Sequence, residues 1–189
     1  MALAAAREIV AAEGAAGLST RKVASRMGYA AGTLYLVFRN LDDLVLQLNA
    51  ATLEALDAHL AEALARLPAD AGPRRRLLAL AHAYYLFARE HFHLWSLVFE
   101  HHLPEGETMP ESLAARVRAL LGRVEAELSH LGAGADLAAR VLWSGVHGIA
   151  VLALTDNLAA TGPVDAPALV DSLVNRYLDG FAAAGRNQS

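Results

Sequence analysis

Apolar residues recur every three or four positions along most of the chain, with no sustained alternation of apolar and polar residues. This spacing, together with abundant Ala, Leu, Glu and Arg, predicts an all-α protein. Glycines, prolines and short polar stretches interrupt the pattern and end the predicted helices. The predicted helices are 2–13, 19–26, 31–38, 41–67, 74–90, 91–102, 110–130, 135–160 and 166–184.

The first three predicted helices are short and the later ones are long. Short helices can bury their apolar faces only against one another, so we expect a three-helix unit. Its expected core residues are Leu3, Ile9, Val10, Val23, Ala24, Met27, Leu34 and Phe38. The long helices predict a larger antiparallel helical bundle. We therefore place one domain at 1–45 and a second at 46–189.

Composition limits the classes of protein that fit. With 189 residues the chain is long enough for one compact domain or one with a small appendage, and 55% hydrophobic residues exclude intrinsic disorder. The formal charge of −4 argues against a chain coated with nucleic acid. That charge is uneven, since residues 1–49 carry +1 and the remainder −5. The first domain can therefore still present a local basic face.

The absence of cysteine excludes disulfides, thiolate metal sites and cysteine nucleophiles. No signal-peptide pattern precedes Arg7 and Glu8. The most apolar stretch, 137–155, contains Arg140 and His147 and is shorter than the ~20 residues that span a bilayer. We expect a cytoplasmic protein with no membrane partner.

The second and third predicted helices are joined by a short turn at 27–30, with Gly28 where a helix end commonly adopts positive φ. Such a turn between short helices is typical of a helix-turn-helix, whose second helix enters the major groove of DNA. Ser19 fits the N-cap of the first of these helices, which leaves Arg21 at an end suited to phosphate.

Three runs in fixed order extend this pattern: GLSTRKVA at 17–24, MGYAAGTLY at 27–35 and LDDL at 41–44, with Phe38 between the last two. Together they resemble the DNA-binding domain of the TetR family of bacterial transcriptional regulators. The resemblance implies that Thr33 and Tyr35 bind phosphate and that Gly32 lets the backbone approach DNA. The expected DNA-binding residues are Ser19, Thr20, Arg21, Tyr29, Ala30, Ala31, Gly32, Thr33, Tyr35, Leu36 and Arg39.

The chain departs from the family pattern at several positions. Ala30 replaces a capping Ser or Thr, and Lys22 removes a capping box with Ser19. Leu36 and Val37 stand where polar, aromatic or His residues are common. Few side-chain donors remain for base edges, so we expect A·T steps opposite Ala31, Gly32 and Leu36. The alternative is a three-helix unit that only packs, with Tyr35 half-buried in its core.

Aromatic residues concentrate between 84 and 99, and Phe92, Trp95 and Phe99 share one helix face. They form either ordinary core or the wall of a cavity for a small apolar or aromatic effector. His147 has the same two interpretations, as a core residue or a polar contact in the pocket. The expected pocket residues are Tyr84, Tyr85, Phe87, Phe92, Trp95, Phe99, Trp143 and His147.

Gly145 and Gly148 lie inside a predicted helix, where each costs ~1 kcal/mol relative to Ala, so close approach of another helix is expected. The surrounding WSGVHG sequence at 143–148 resembles the Trp/His-Gly subgroup of TetR regulators. That resemblance implies a homodimer formed by the last two helices. The expected interface residues are Leu137, Val141, Ser144, Gly145, Gly148, Ile149, Leu152, Leu169, Leu173 and Tyr177.

No spacing of residues indicates catalysis or a metal. His91, His93, His101 and His102 do not converge on one helix face, and paired carboxylates and phosphate loops are missing. We expect no catalytic residue, metal or cofactor, and therefore no enzyme activity.

The expected function is a ligand-responsive homodimeric repressor that binds a palindromic operator in double-stranded DNA and is released by a small-molecule effector. The alternatives are an all-helical carrier or enzyme without DNA binding, and a dimeric scaffold that has lost DNA binding. TetR regulators commonly carry a basic N-terminal arm. Because this chain begins at its first predicted helix, we expect that arm to be absent or removed and DNA affinity to be weaker.

Overall fold

The structure, a computed structural model, describes residues 1–106, 108–163 and 165–186, excluding the side chains at 31 and 182–186. Within these residues the regular structure is entirely helical, which confirms the predicted fold class. The α-helices are α1 (Ala2–Glu13), α2 (Thr20–Met27), α3 (Leu41–Ala65), α4 (Pro73–Glu90), α5 (Phe92–Glu100), α6 (Glu111–Ser129), α7 (Ala135–Leu154) and α8 (Ala166–Arg186). Shorter 3₁₀ helices cover Ala15–Gly17, Ala31–Leu36 and Asn157–Thr161.

Both ends of α2 form as the sequence predicts. The hydroxyl of Ser19 accepts a hydrogen bond from the Lys22 backbone N–H at 3.3 Å. Gly28 ends the helix in the left-handed conformation, with φ 77° and ψ 23°, where a side chain would be strained. These two caps fix the length of α2 and the direction in which the chain leaves it.

The third predicted helix, 31–38, is instead a 3₁₀ helix at Ala31–Leu36. Ala30 supplies no side-chain cap, and Asn40 starts α3 by accepting a hydrogen bond from the Asp43 backbone N–H at 2.8 Å. Asp43 in turn accepts from the Arg39 backbone N–H at 3.0 Å. The segment therefore has no N-terminal side-chain cap, and the Asn40 cap of α3 follows it closely. It has too few residues to gain a stable set of α-helical hydrogen bonds.

The predicted helix 135–160 is also shorter than expected, because α7 ends at Leu154. The hydroxyl of Thr155 donates to the Val151 carbonyl at 2.7 Å, and Asp156 adopts a positive φ of 58°. Asn157 donates to the Thr155 hydroxyl at 2.8 Å. Short polar side chains that bond to nearby groups compete with helix continuation, and here they end the helix.

The described chain divides into two compact units that do not follow chain order. Unit 1 comprises Met1–Ala55 and Glu90–Arg116, and unit 2 comprises Leu56–Arg89 and Val117–Ser189. Helix α3 contributes its first part to unit 1 and its last part to unit 2. The predicted domain boundary between residues 45 and 46 stays a prediction.

The core of unit 1 contains the residues that the sequence predicts for the three-helix unit, with Leu3 and Met27 packed partly buried against it. Two leucines of α5, Leu94 and Leu97, join this core. The buried amide of Asn49 on α3 donates to the Leu97 carbonyl at 3.5 Å. The core of unit 1 is therefore completed by a segment far along the chain.

Unit 2 is an antiparallel bundle around buried leucines and valines. Arg74 of α4 pairs with Asp179 of α8 at 2.5 Å, and His82 pairs with Asp171 at 2.7 Å. Residue numbers rise along α4 as their partners' numbers fall along α8, so these two helices are antiparallel.

A bidentate ion pair joins α6 to the last part of α3 in unit 2. Arg123 donates to both carboxylate oxygens of Asp57, at 2.6 and 2.8 Å. The hydrogen bonds from this guanidinium lower the pKa of Asp57 below its ordinary value. The pair therefore favours the charged carboxylate in the folded protein.

Candidate functional sites

Four large side chains project into solvent around the 3₁₀ helix, and we call Tyr29, Tyr35, Leu36 and Val37 the reading surface. Tyr35 is 57% exposed, Leu36 84% and Val37 69%. Packing against the three-helix core does not account for such exposure, so the alternative of a half-buried Tyr35 fails.

The neighbours of these residues in sequence are firmly buried. Leu34 and Phe38 lie in the core, as predicted, and the Leu34 carbonyl accepts backbone hydrogen bonds from Val37 at 3.0 Å and Phe38 at 2.9 Å. The buried side chains hold the exposed ones in place.

Gly32 is exposed on the same 3₁₀ helix, and a Cβ built there meets no described atom within 4 Å. Its backbone does not occupy the left-handed region that favours glycine. Neither packing nor backbone geometry within the described chain requires glycine at this position. A Cβ at this position would project into open space, so the backbone of Gly32 is accessible to another molecule.

Positive charge near the reading surface is partly compensated. Lys22 pairs with Glu13, and Arg26 pairs with Glu8 at 3.0 Å. Arg21, exposed in the first turn of α2, forms no ion pair within the described residues. The Arg39 guanidinium is 83% exposed and only loosely paired, its Nε lying 3.9 Å from Asp43. Arg21 and Arg39 are therefore more available to an outside anion than Lys22 and Arg26.

The other predicted DNA-binding residues surround these groups. Ser19 is engaged as the α2 cap, and Thr20 lines a shallow depression with Tyr35. Thr33 is half-buried and Ala30 exposed. The side chain of Ala31 lies outside the described part of the structure.

The pairing of Lys22 with Glu13 was missed from the sequence, which indicated only the loss of a capping box. Gly17 lies close to the same residue, since a Cβ there would lie 2.6 Å from the Glu13 Cβ. Opposite charges on either side of a glycine-containing turn were the available signal.

Unit 2 brings three predicted pocket residues into one aromatic cluster, consisting of Tyr84 on α4 with Trp143 and His147 on α7. The Tyr84 hydroxyl lies 2.8 Å from His147 Nδ1, within hydrogen-bond distance, and the Trp143 ring centroid is 5.4 Å from that of His147. Partial burial lowers the pKa of His147, which favours its neutral imidazole.

Tyr85 and Phe87 are also buried on α4. The Phe87 ring lies 5.8 Å from that of His59, a neighbour that sequence reasoning missed.

The remaining predicted pocket residues lie in unit 1. Phe92, Trp95 and Phe99 form a run along α5, with centroid distances of 6.3 and 5.5 Å between successive rings. Trp95 is buried and Phe99 is exposed over 39% of its surface. Their role in an effector pocket stays a prediction.

Helix α7 presents a stripe that we call the α7 face, formed by Leu137, Val141, Ser144, Gly148 and Leu152. Spacings of three and four residues place these positions on one side of the helix. Leu137 is 66% exposed and Val141 47%. A Cβ on Gly148 would meet no described atom within 4 Å.

Length and composition alone would let α7 cross a bilayer, and one such helix is weak evidence for a membrane span. Within its most apolar window, 28% of the helix is buried. The exposed residues of this helix are 136, 137, 140, 141, 144 and 152, so one side of it is uncovered in the single chain.

The second glycine of the pattern, Gly145, faces α8 of the same chain. A Cβ there would lie 2.6 Å from Leu173 Cδ2, so the predicted close approach of another helix is confirmed within the chain. Of the other predicted interface residues, Ile149, Leu169 and Tyr177 are half-buried.

The described residues contain no group of three or more His, Cys, Asp or Glu side chains placed to hold a metal ion. His93 instead contacts the Ala11 carbonyl at 3.2 Å, and His101 lies 3.4 Å from Asp42.

Comparison with known families matches both parts of the chain. Residues 2–48 match the model for bacterial regulatory proteins of the tetR family, and residues 77–177 match a tetracyclin repressor-like C-terminal domain. A comparison with curated proteins found no match.

Solved structures resemble the whole chain. A Rhodococcus sp. RHA1 protein of unknown function shares 26% identity with a TM-score of 0.81, covering 96% of this chain and 93% of that one. The TetR-family regulator PfmR from Thermus thermophilus shares 18% with a TM-score of 0.67, covering 94% and 97%. The regulator FadR from Bacillus subtilis, solved with stearoyl-CoA, shares 18% with a TM-score of 0.71, covering 95% and 97%.

These matches indicate a DNA-binding, ligand-responsive transcription factor rather than an enzyme. Assignment to the Trp/His-Gly subgroup stays a prediction. The two family models together cover most of the chain, which belongs to the TetR family of transcriptional regulators.

Proposed function

We propose that this regulator is a homodimeric repressor that binds a palindromic operator and is released by a small apolar or aromatic effector. The observation that carries the proposal is the exposed 3₁₀ helix with open space at Gly32, in a unit that also exposes Arg21 and Arg39. A polyanion that approaches the backbone closely would use all three features.

In this proposal Arg21, Thr33, Tyr35 and Arg39 bind phosphate oxygens and set the position of the protein on DNA. Gly32 admits the sugar–phosphate backbone or a base edge at short range. The other expected contacts with DNA are Ser19, Thr20, Tyr29, Ala30, Ala31 and Leu36.

The α7 face supports the homodimer. Its apolar stripe is uncovered in the single chain, and Gly148 leaves room for another helix to approach. Pairing of α7 with its copy, alongside Leu169 and Tyr177 of α8, would bury this surface and stabilise the dimer. A two-fold axis would then present two reading surfaces to major grooves ~34 Å apart, which requires a palindromic operator.

The aromatic cluster supports an effector site in unit 2. A neutral His147 bonded to Tyr84 offers one polar contact among aromatic rings, as small-molecule sites commonly do. Release from DNA requires that the effector bind more tightly to the conformation that does not fit the operator. Helix α3, which contributes to both units, is a continuous element through which such a difference could pass.

DNA binding is tested by selecting bound fragments from genomic DNA and measuring affinity for the selected operator against salt. Arg21→Ala and Arg39→Ala should each weaken binding about tenfold and reduce the salt slope by about 1. Arg66→Ala provides a control, because Arg66 is exposed and paired with Glu62 in α3. Failure to select any fragment would contradict the proposal, as would equal slopes in all three variants.

The effector is sought by thermal shift with aromatic compounds and fatty acyl-CoAs, the latter because a structural neighbour holds stearoyl-CoA. A hit should release the operator and change tryptophan fluorescence, and Trp143→Phe should remove that change while Trp95 still reports folding. Tyr84→Phe should weaken effector binding about tenfold, because it removes the hydroxyl that lies 2.8 Å from His147 Nδ1. A ligand that leaves operator affinity unchanged would refute the release mechanism.

A further inference from the structure

Leu36 and Val37 are among the most exposed large apolar side chains in the described chain. Burial of a leucine or valine side chain is worth ~1.5–3 kcal/mol, so two adjacent uncovered ones indicate a surface that gains by being covered. Because these two side chains are exposed on a charged, DNA-binding unit, we expect the group that covers them to be part of DNA.

The backbone prevents these residues from turning into the core. Their neighbours Leu34 and Phe38 are buried, and the Leu34 carbonyl accepts hydrogen bonds from the N–H groups of both Val37 and Phe38. The exposed pair is therefore held outward before any partner binds, which lowers the ordering cost of a contact.

The 3₁₀ geometry determines which residues lie one turn away from Leu36 and Tyr35. With three residues per turn, Leu36 lies above Thr33, and Tyr35 lies above Gly32. Leu36 and Val37 themselves have only methyl and methylene groups, so they can neither donate to nor accept from a base edge. In the major groove of unmodified DNA the apolar group on a base edge is the C5 methyl of thymine.

Charge favours DNA over a protein as the molecule that covers this pair. Arg39 is two residues from Val37 with its guanidinium exposed, and Arg21 is exposed in the first turn of α2. Exposed cations on the same unit as an apolar contact suit the phosphate backbone of DNA.

We infer that Leu36 and Val37 determine operator specificity by contacting the C5 methyl groups of thymines in each half-site. The inference rests on the proposed function and deepens it, since it assigns the base type and the chemical group that are read. Specificity then comes from apolar contact rather than from hydrogen bonds.

The test uses the selected operator with each thymine replaced in turn by deoxyuridine, which removes only the C5 methyl. At one or two positions in each half-site the replacement should weaken wild-type binding about fourfold, the value of one buried methyl group. Leu36→Ala or Val37→Ala should bind thymine and deoxyuridine operators equally at the matching position. Val117→Ala, at an exposed valine of α6, should keep the wild-type sensitivity.

The outcomes separate the two proposals. If the wild type selects no DNA, both the proposed function and this inference fail. If it binds an operator that tolerates deoxyuridine everywhere, the inference fails and the proposed function stands. If deoxyuridine weakens the Leu36→Ala and Val37→Ala variants as much as the wild type, another group or DNA shape senses the methyl, and the inference is again wrong. Thermal unfolding checks that each variant folds.

Discussion

The reading surface and the α7 face both expose large apolar side chains, and each includes or adjoins a glycine with open space around it. They differ in backbone and in charge. The α7 face is a regular stripe along an α-helix, whereas the reading surface surrounds a single 3₁₀ helix between the caps of α2 and α3. The unit that carries the reading surface exposes Arg21 and Arg39, while Arg140, a cation beside the α7 stripe, is paired with Asp136 at 3.4 Å.

This difference shows that exposed apolar residues alone do not identify a partner. A straight stripe from Leu137 to Leu152 extends about 22 Å at 1.5 Å per residue and can be covered by another helix. The reading surface is too short to be covered along its length by another helix, and the exposed arginines of the same unit favour DNA as its partner. Backbone regularity and flanking charge together indicate the type of partner.

The largest expected effect comes from placing a charge on the α7 face. Val141→Glu should raise the dimer dissociation constant at least 100-fold, because a buried, unpaired carboxylate costs several kcal/mol. Operator affinity should fall with it, as measured by sedimentation velocity and DNA binding. Val117→Glu places the same charge at an exposed valine of α6 and should leave the dimer intact. If Val141→Glu leaves the dimer dissociation constant unchanged, the α7 face is not the interface.

A smaller effect is expected from filling the open space at Gly32. Gly32→Ala should weaken operator binding about tenfold. The added methyl group would move the backbone away from DNA, which costs roughly the energy of one close contact. Thermal stability should not fall, because the new Cβ meets no described atom. Gly122→Ala, at another open glycine, serves as the control. Unchanged operator affinity would show that DNA does not approach at Gly32.

The corresponding change on α7 should affect self-association instead. Gly148→Ala should stabilise the isolated helix by up to ~1 kcal/mol through higher helix propensity while raising the dimer dissociation constant about fivefold. Thermal unfolding and sedimentation at several concentrations separate these opposite contributions. If Gly148→Ala tightens the dimer, no helix approaches closely at that position.

The smallest effect concerns the ion pair inside unit 2 and should leave both surfaces unchanged. Because the Arg123 guanidinium lowers the pKa of Asp57, the pair stabilises the fold above the ordinary carboxyl pKa of 3.8 and loses that contribution as pH falls through the lowered value. Asp57→Asn should cost at most about 1 kcal/mol at neutral pH, since the pair is partly exposed. The difference in melting temperature should shrink in acid. Glu54→Gln, which loosens a longer pair with Arg116 at 3.5 Å, should cost less.

Local features of the fold could be predicted from the sequence because they depend on neighbouring residues. The Ser19 cap, the left-handed Gly28 and the burial of Leu34 and Phe38 follow from turn chemistry and apolar spacing. The 3₁₀ conformation could not be predicted, since it depends on competition with the Asn40 cap of α3.

Contacts between distant residues were harder to predict. The sequence indicated that Gly145 lies against a helix but left open whether that helix belongs to the same chain. The sequence also placed α5 only with the second domain. No local sequence pattern indicates that Leu94 and Leu97 join the core of unit 1. For the functional sites, the family pattern located the DNA-binding segment, but exposure and charge pairing had to come from the structure.

The discontinuous core of unit 1 has a consequence for how the protein is made. The ribosome delivers α1, α2 and the 3₁₀ helix first, yet their apolar surface is completed only when α5 has been synthesised and has left the exit tunnel. Closing so long a stretch of chain is slow relative to local helix formation. A nascent chain stalled before Leu94 would hold an unfinished DNA-binding end, so the molecule would become able to occupy its operator only late in translation.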